Sequence, residues 1–212
     1  MLLDEAFDIV NMPVLMQQKV KACYTQEHRH YHNLDHLGEI LKWVPEDHSE
    51  IEILLEAILF HDLVYFPTAV ASGLNEALSV AEYLSYNTKA MAFNIPFSNS
   101  DASFEYERRV IEAINATAHH LEDQLYLGTT SKLMLDLDLS TFALPWEEYL
   151  VWKTRVETEN LEIWKDIYQV EDIQRGRCLF LQKLNKRQQL YYVKTEWEQQ
   201  ARANIEQDIE MS

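Results

Sequence analysis

The sequence predicts an all-α fold, a helical bundle made by one domain, on three observations. Only four glycines and five prolines punctuate 212 residues, far fewer turn residues than a sandwich or barrel of this length needs. Leu, Ala, Glu, Gln and Lys are plentiful, and these residues favour long helices. Several segments carry apolar residues at helical spacing. Apolar residues make up 47% of the chain, enough for one sizeable core. The length fits a single domain over 1–212.

Pro13 suits a helix's first turn, and VLMQQKVKACY continues from it with helical spacing. A His-rich loop follows, then a short helix from about Asn33 to Val44, stopped by Pro45. Ser49 is a plausible N-cap for the apolar helix IEILLEAILFHD. LVYFPTAVASG reads as loop, and a helix from about Asn75 to Asn87 comes next. Met91 to Ser103 reads as a surface loop, with Asp101 or Ser103 capping a helix that runs to about Thr117. A shorter helix carries LMLDLDL, and Pro145 opens a long helix through Tyr168. Helices over about 171–186 and 194–210 complete the chain.

Charge and cysteine content narrow the partners. The formal net charge is −17. Such a surface repels nucleic-acid phosphates and anionic lipid heads, so neither a long nucleic acid nor a membrane is an expected partner. A small phosphorylated molecule or nucleotide is compatible, because a bound cation reverses the potential inside one cleft. The oligomeric state is left open. Cys23 and Cys178 are far apart and read as buried thiols rather than a disulfide. The N-terminal MLLDEAFDIV carries acids where a signal peptide carries bases. No apolar run reaches membrane-spanning length, and a cytoplasmic location is the default expectation.

Chemistry concentrates at a few positions. His32 and His36 are four apart and would share one face of a helix; alone, such a pair is more often a solvated face than a site. His61 and Asp62 end an almost wholly apolar helix. A buried ionisable pair needs partners, and a metal satisfies an imidazole and a carboxylate together; a cap or ion pair does so equally well. In MLDLDLS, Asp136 and Asp138 are two apart and point in different directions on a helix. An Asp facing an apolar core needs a cation or several donors. His36, His61, Asp62 and a later Asp together suit Mn, Fe, Co, Ni, Zn or Mg at a hydrolytic centre.

These strings carry a resemblance. The order H…HD…D on a helical chain is similar to that of the HD superfamily of metal-dependent phosphohydrolases. Locally, Tyr31-His32-Asn33 with His36, Phe60-His61-Asp62 with Tyr65, Asn75-Glu76 with Ser79, Thr117 with His120, and Asp136 with Asp138-Leu139 resemble the small bacterial proteins described as predicted members of that superfamily. Arg155, Glu157, Gly176-Arg177, Glu198, Ala201-Arg202 and Asn204 extend the likeness to the C-terminus. The resemblance implies an HD-type helical domain, with a metal-binding region over about 29–140 and additional C-terminal helices over about 145–210. It implies that His36, His61, Asp62 and Asp138 hold one divalent metal ion or two, Asp62 bridging if there are two. The His32–His36 string also resembles that of cyclic-nucleotide phosphodiesterases, which makes His32 the acid that protonates the leaving oxygen. Tyr65 stands where those enzymes carry a further His, and their purine clamp has no counterpart here. Tyr65, Asn75, Glu76 and His120 become substrate-binding candidates, and Arg29, beside the His motif, the best candidate for a phosphate contact. Asn75 reads equally as a cap, and Arg155, Arg177 and Arg202 more readily as internal ion-pair partners. The implied activity is metal-dependent hydrolysis of a phosphomonoester or phosphodiester. The competing readings are a non-catalytic, metal-dependent nucleotide-binding or sensor protein, and a purely structural helical protein.

Overall fold

A computed structural model describes residues 1–66, 73–92 and 100–211, of which 88–92 and 100–102 are described by their backbone alone. Among the described residues there are ten α-helices and no strand: α1 (Leu3–Ile9), α2 (Val14–Cys23), α3 (Leu34–Lys42), α4 (Ile51–Phe60), α5 (Leu74–Ala92), α6 (Ser100–Ala116), α7 (Thr129–Asp138), α8 (Trp146–Trp164), α9 (Val170–Asn185) and α10 (Glu198–Met211). The all-helical expectation is met. No helix among them is long and apolar enough to cross a membrane.

α4 is the axis of the molecule. Every residue from Ile53 to Phe60 is buried, the pattern of a helix surrounded by protein on all sides. α3, α5, α6 and α7 pack around it. Their apolar residues join those of α1 and α2 in one core that includes Phe7, Tyr24, Leu41, Leu55, Ile58 and Phe60. A second core gathers Leu139, Leu181, Leu184, Tyr191 and Ile205 beneath α9 and α10. Trp197 packs against both. α7 ends where the two cores meet, and that is where the chemistry lies.

Several boundaries differ from the sequence reading. α1 was not anticipated. Pro13 and Pro145 stand one position earlier than a first turn, as N-caps of α2 and α8. Glu50 rather than Ser49 caps α4, without a side-chain capping bond; its carboxylate is drawn to Arg109 and Thr130. α5 continues to Ala92, and α6 begins at Ser100, so Asp101 and Ser103 lie within it. The remainder of the expected 91–103 loop, and residues 67–72 of the expected 63–73 loop, lie outside the described residues. α8 stops at Trp164, short of Tyr168. Cys23 and Cys178 are free and half-buried rather than fully buried.

Candidate metal centre

Three helix ends converge on one point. Asn33 caps α3, its carboxamide oxygen accepting from the backbone N–H of Asp35 (2.9 Å) and His36 (3.3 Å). Its amide nitrogen donates to the carbonyls of Arg29 and His30. This one side chain folds the His-rich loop onto the helix start and places His36 in the first turn. His61 is the C-cap of α4, and Asp138 is the last residue of α7. His36 and His61 are fully buried.

The four predicted ligands are brought together. One donor atom each from His36, His61 and Asp62 lies within 4.8 Å of the other two. His61 Nε2 is 3.0 Å from Asp62 Oδ2 and 3.6 Å from Asp138 Oδ1. Asp138 Oδ1 lies 3.1 Å from His36 Nε2, and Asp138 Oδ2 lies 2.8 Å from His120 Nε2.

The chemistry of this set fits a cation. His61 Nδ1 donates to the Ile58 carbonyl at 2.8 Å, which in a neutral ring leaves a lone pair on Nε2. That nitrogen faces two carboxylates yet makes no hydrogen bond. A lone pair aimed at two anions in a buried site needs positive charge between them, as a proton or as a metal ion. Burial disfavours charge on His61, but Asp62, Tyr24 and Asp138 overcome it and raise its pKa well above the ordinary imidazole range. The carboxyls answer in the opposite sense. Burial works to raise Asp62 and Asp138, but the imidazoles outweigh it and both are held below their ordinary range. A buried His36–His61–Asp62 group of this kind can bind a metal ion.

His32 precedes the N-cap, so it does not share a helical face with His36 as its spacing suggested; the two rings stand 6.0 Å apart, nearly perpendicular. Its Nδ1 is hydrogen-bonded to Glu159 Oε1, and its ring stacks on Tyr65 at 4.5 Å. Glu159 also accepts from the backbone N–H of Tyr31 (2.8 Å) and His32 (3.1 Å) and from the Tyr65 hydroxyl (2.7 Å). Burial acts to raise the pKa of Glu159, but His32 and these donors bring it down to about 2. For His32 burial acts to lower the pKa, and Glu159, Asp62 and Asp138 reverse the effect.

Sequence reasoning missed Glu159, although a signal was present. It stands seven residues after Trp152 and three after Val156, which places a carboxylate on the more apolar face of α8.

The substrate-binding candidates divide. Tyr65, Glu76 and His120 line a cleft of about 1590 Å³ together with His32, Asp62 and Asp138. Tyr65 offers its ring only, since its hydroxyl is bound to Glu159. Glu76 Oε2 is buried without a hydrogen bond, and burial raises its pKa.

Arg29 and Asn75 are corrections. The Arg29 guanidinium is buried and donates to Gln26 Oε1 (2.9 Å) and to the carbonyls of His32 (3.2 Å), Asp62 (2.6 Å) and Leu63 (3.1 Å). It ties the His-rich loop to the end of α4 and does not line the cleft. The Asn75 carboxamide pairs with both backbone groups of Phe66 (2.8 and 3.2 Å); it too is absent from the cleft wall. Arg155 pairs with Asp35, Arg177 with Asp208 and Arg202 with Glu198, the internal roles expected in so acidic a chain. Asp136 accepts the backbone N–H groups of Tyr192, Val193 and Lys194 at 2.6–2.8 Å, while Asp138 alone of the pair joins the centre.

Compared with protein-family models and with curated proteins, the chain finds no significant match.

Proposed function

We propose that this chain is a metal-dependent phosphohydrolase of HD type, acting on a small phosphorylated substrate. The observation that carries the reading is the convergence of two buried imidazoles and two carboxylates, from α3, the end of α4 and the end of α7, with both carboxylates on the wall of one large cleft. His36, His61, Asp62 and Asp138 would hold the ion. A divalent metal in such a nitrogen and oxygen set supplies Lewis acidity and lowers the pKa of a water molecule toward neutrality.

The chain's own groups account for the rest. Glu159 fixes His32 through Nδ1 and favours its protonated form, which leaves Nε2 as the nitrogen able to give a proton to a leaving oxygen. Tyr65, stacked on the same ring, holds its plane. The Tyr31 ring packs 4.8 Å from the buried ring of His36 and forms part of the cleft wall beside it.

Elemental analysis of purified protein, paired with hydrolysis of a panel of phosphate esters, tests the reading. About one transition metal per chain and metal-dependent turnover are expected, with both lost in Asp62→Ala. An Asp62→Ala protein that keeps its metal like the parent rules the reading out.

A further inference from the structure

The cleft is far larger than a phosphate group requires, and its walls are not those of a polyanion site. On α8, Trp152, Val156, Asn160 and Trp164 all line it. Successive positions four apart share one helix face, so these side chains form a row about 18 Å long at 1.5 Å per residue. The row starts at the metal centre: Trp152 stands 5.8 Å from Tyr31, whose ring is 4.8 Å from His36. Glu159, which holds His32, lies beside Asn160, and Trp164 is one further turn away from the chemistry. α9 adds Phe180 and Gly176 to the lining. A Cβ at Gly176 would meet nothing within 4 Å, so there is open space beside that glycine.

Charge limits what fits. Three Lys or Arg side chains line the cleft, Lys153, Arg177 and Lys183; five Asp or Glu do, Asp62 and Asp138 at the metal and Glu76, Glu122 and Asp172 besides. Arg177 is bound to Asp208 at 2.7 Å, and Lys153 lies between Glu157 and Asp208. One divalent ion offsets the excess of two carboxylates and leaves little field for further anionic groups.

We infer that the site takes a phosphate ester of low charge whose uncharged portion carries a flat ring, held along the Trp152–Trp164 row of α8. This rests on the phosphohydrolase reading above. Indole faces recognise flat rings by stacking, a preference that aliphatic chains do not share. The Asn160 amide sits midway along the row, where it can hydrogen-bond a ring heteroatom.

Calorimetry on the metal-loaded full chain with stable phosphonates tests this. 1-Naphthylmethylphosphonate should bind at least about tenfold more tightly than methylphosphonate, as stacking on one aromatic face allows. It should also bind more tightly than dodecylphosphonate. Trp164→Ala should shrink the naphthyl-to-methyl ratio by about tenfold, and Trp164→Phe, which keeps a ring, should restore most of it. Tripolyphosphate should bind no more tightly than inorganic phosphate. Equal affinities for the naphthyl and methyl compounds, preference for the dodecyl chain, a ratio unmoved by Trp164→Ala, or strong preference for tripolyphosphate each overturn the inference while the phosphohydrolase reading stands. Absence of metal-dependent binding for every phosphonate overturns that reading and the inference with it.

Discussion

His32, half-buried at the cleft, and Glu56, buried in the core, are ionisable residues with opposite consequences. His32 is held by Glu159 beside the centre and is not among the four converging ligands. His32→Ala should therefore retain metal and lose about 10² to 10⁴ in rate on alkyl phosphates, the usual worth of a positioned acid. Loss on p-nitrophenyl phosphate should be much smaller, because that leaving group needs little protonation. Steady-state rates on both substrates, with metal content measured alongside, check this; equal losses exclude His32 as the acid. Glu56 sits within the apolar axis α4, with the Tyr83 hydroxyl donating to it at 3.0 Å. Burial raises its pKa to about 7 against the partial opposition of its tyrosine hydrogen bonds. The folded state thus binds the Glu56 proton more tightly than the unfolded chain does. Its contribution is fully present below an ordinary carboxyl pKa and is lost as pH rises through about 7. Denaturant unfolding of the parent and Glu56→Gln across this window should show the variant gaining up to about 3 kcal/mol relative to the parent. A difference constant with pH would mean that Glu56 is ionised throughout.

At the scale of elements, α7 holds its two aspartates to different tasks. Asp138 faces the candidate metal centre, and Asp136 grips the backbone of residues 192–194 between α9 and α10. Asp136→Asn cannot satisfy three N–H donors as a carboxylate does, and should cost about 2–3 kcal/mol in unfolding free energy. The folded fraction should keep its metal, so stability and metal content separate the two positions. By the metal criterion Asp136 is the milder site to change, but by stability it is not. The DxD string displayed both residues, and resemblance pointed to the second as a ligand; only the packing of the C-terminal segment reveals the work of the first. The apolar run of α4 and its terminal His61–Asp62 were legible because local spacing reports burial. The caps were less so. Glu50 begins α4 while its carboxylate is engaged by Arg109 and Thr130, residues far along the chain. Arg29 looked like a phosphate contact beside a histidine motif, yet its acceptors are the carbonyls of Asp62 and Leu63, a direction that local sequence does not encode. Glu159 stands on the more apolar face of its helix, but the histidine it holds is more than 120 residues away, a pairing that local sequence does not encode.

The whole molecule joins a seven-helix core to a smaller C-terminal one, and the candidate metal centre lies near the seam. An ion that binds only the assembled centre stabilises the entire fold, by about 2.7 kcal/mol at a hundredfold excess over its dissociation constant. For a chain of this size that is a rise on the order of 5–10 °C in Tm. Thermal melts with metal and with chelator should differ by this amount in the parent and coincide in Asp62→Ala; a chelator-insensitive parent would refute it. The grip of Asp136 on residues 192–194 also bears on synthesis. The ribosome makes those residues more than fifty positions after the aspartate, and Glu159 is made 127 positions after His32. A nascent chain therefore displays His36, His61 and Asp62 long before His32 has its carboxylate and α7 its C-terminal anchor. Until those segments are made, the imidazoles are open to whatever ion the surroundings supply.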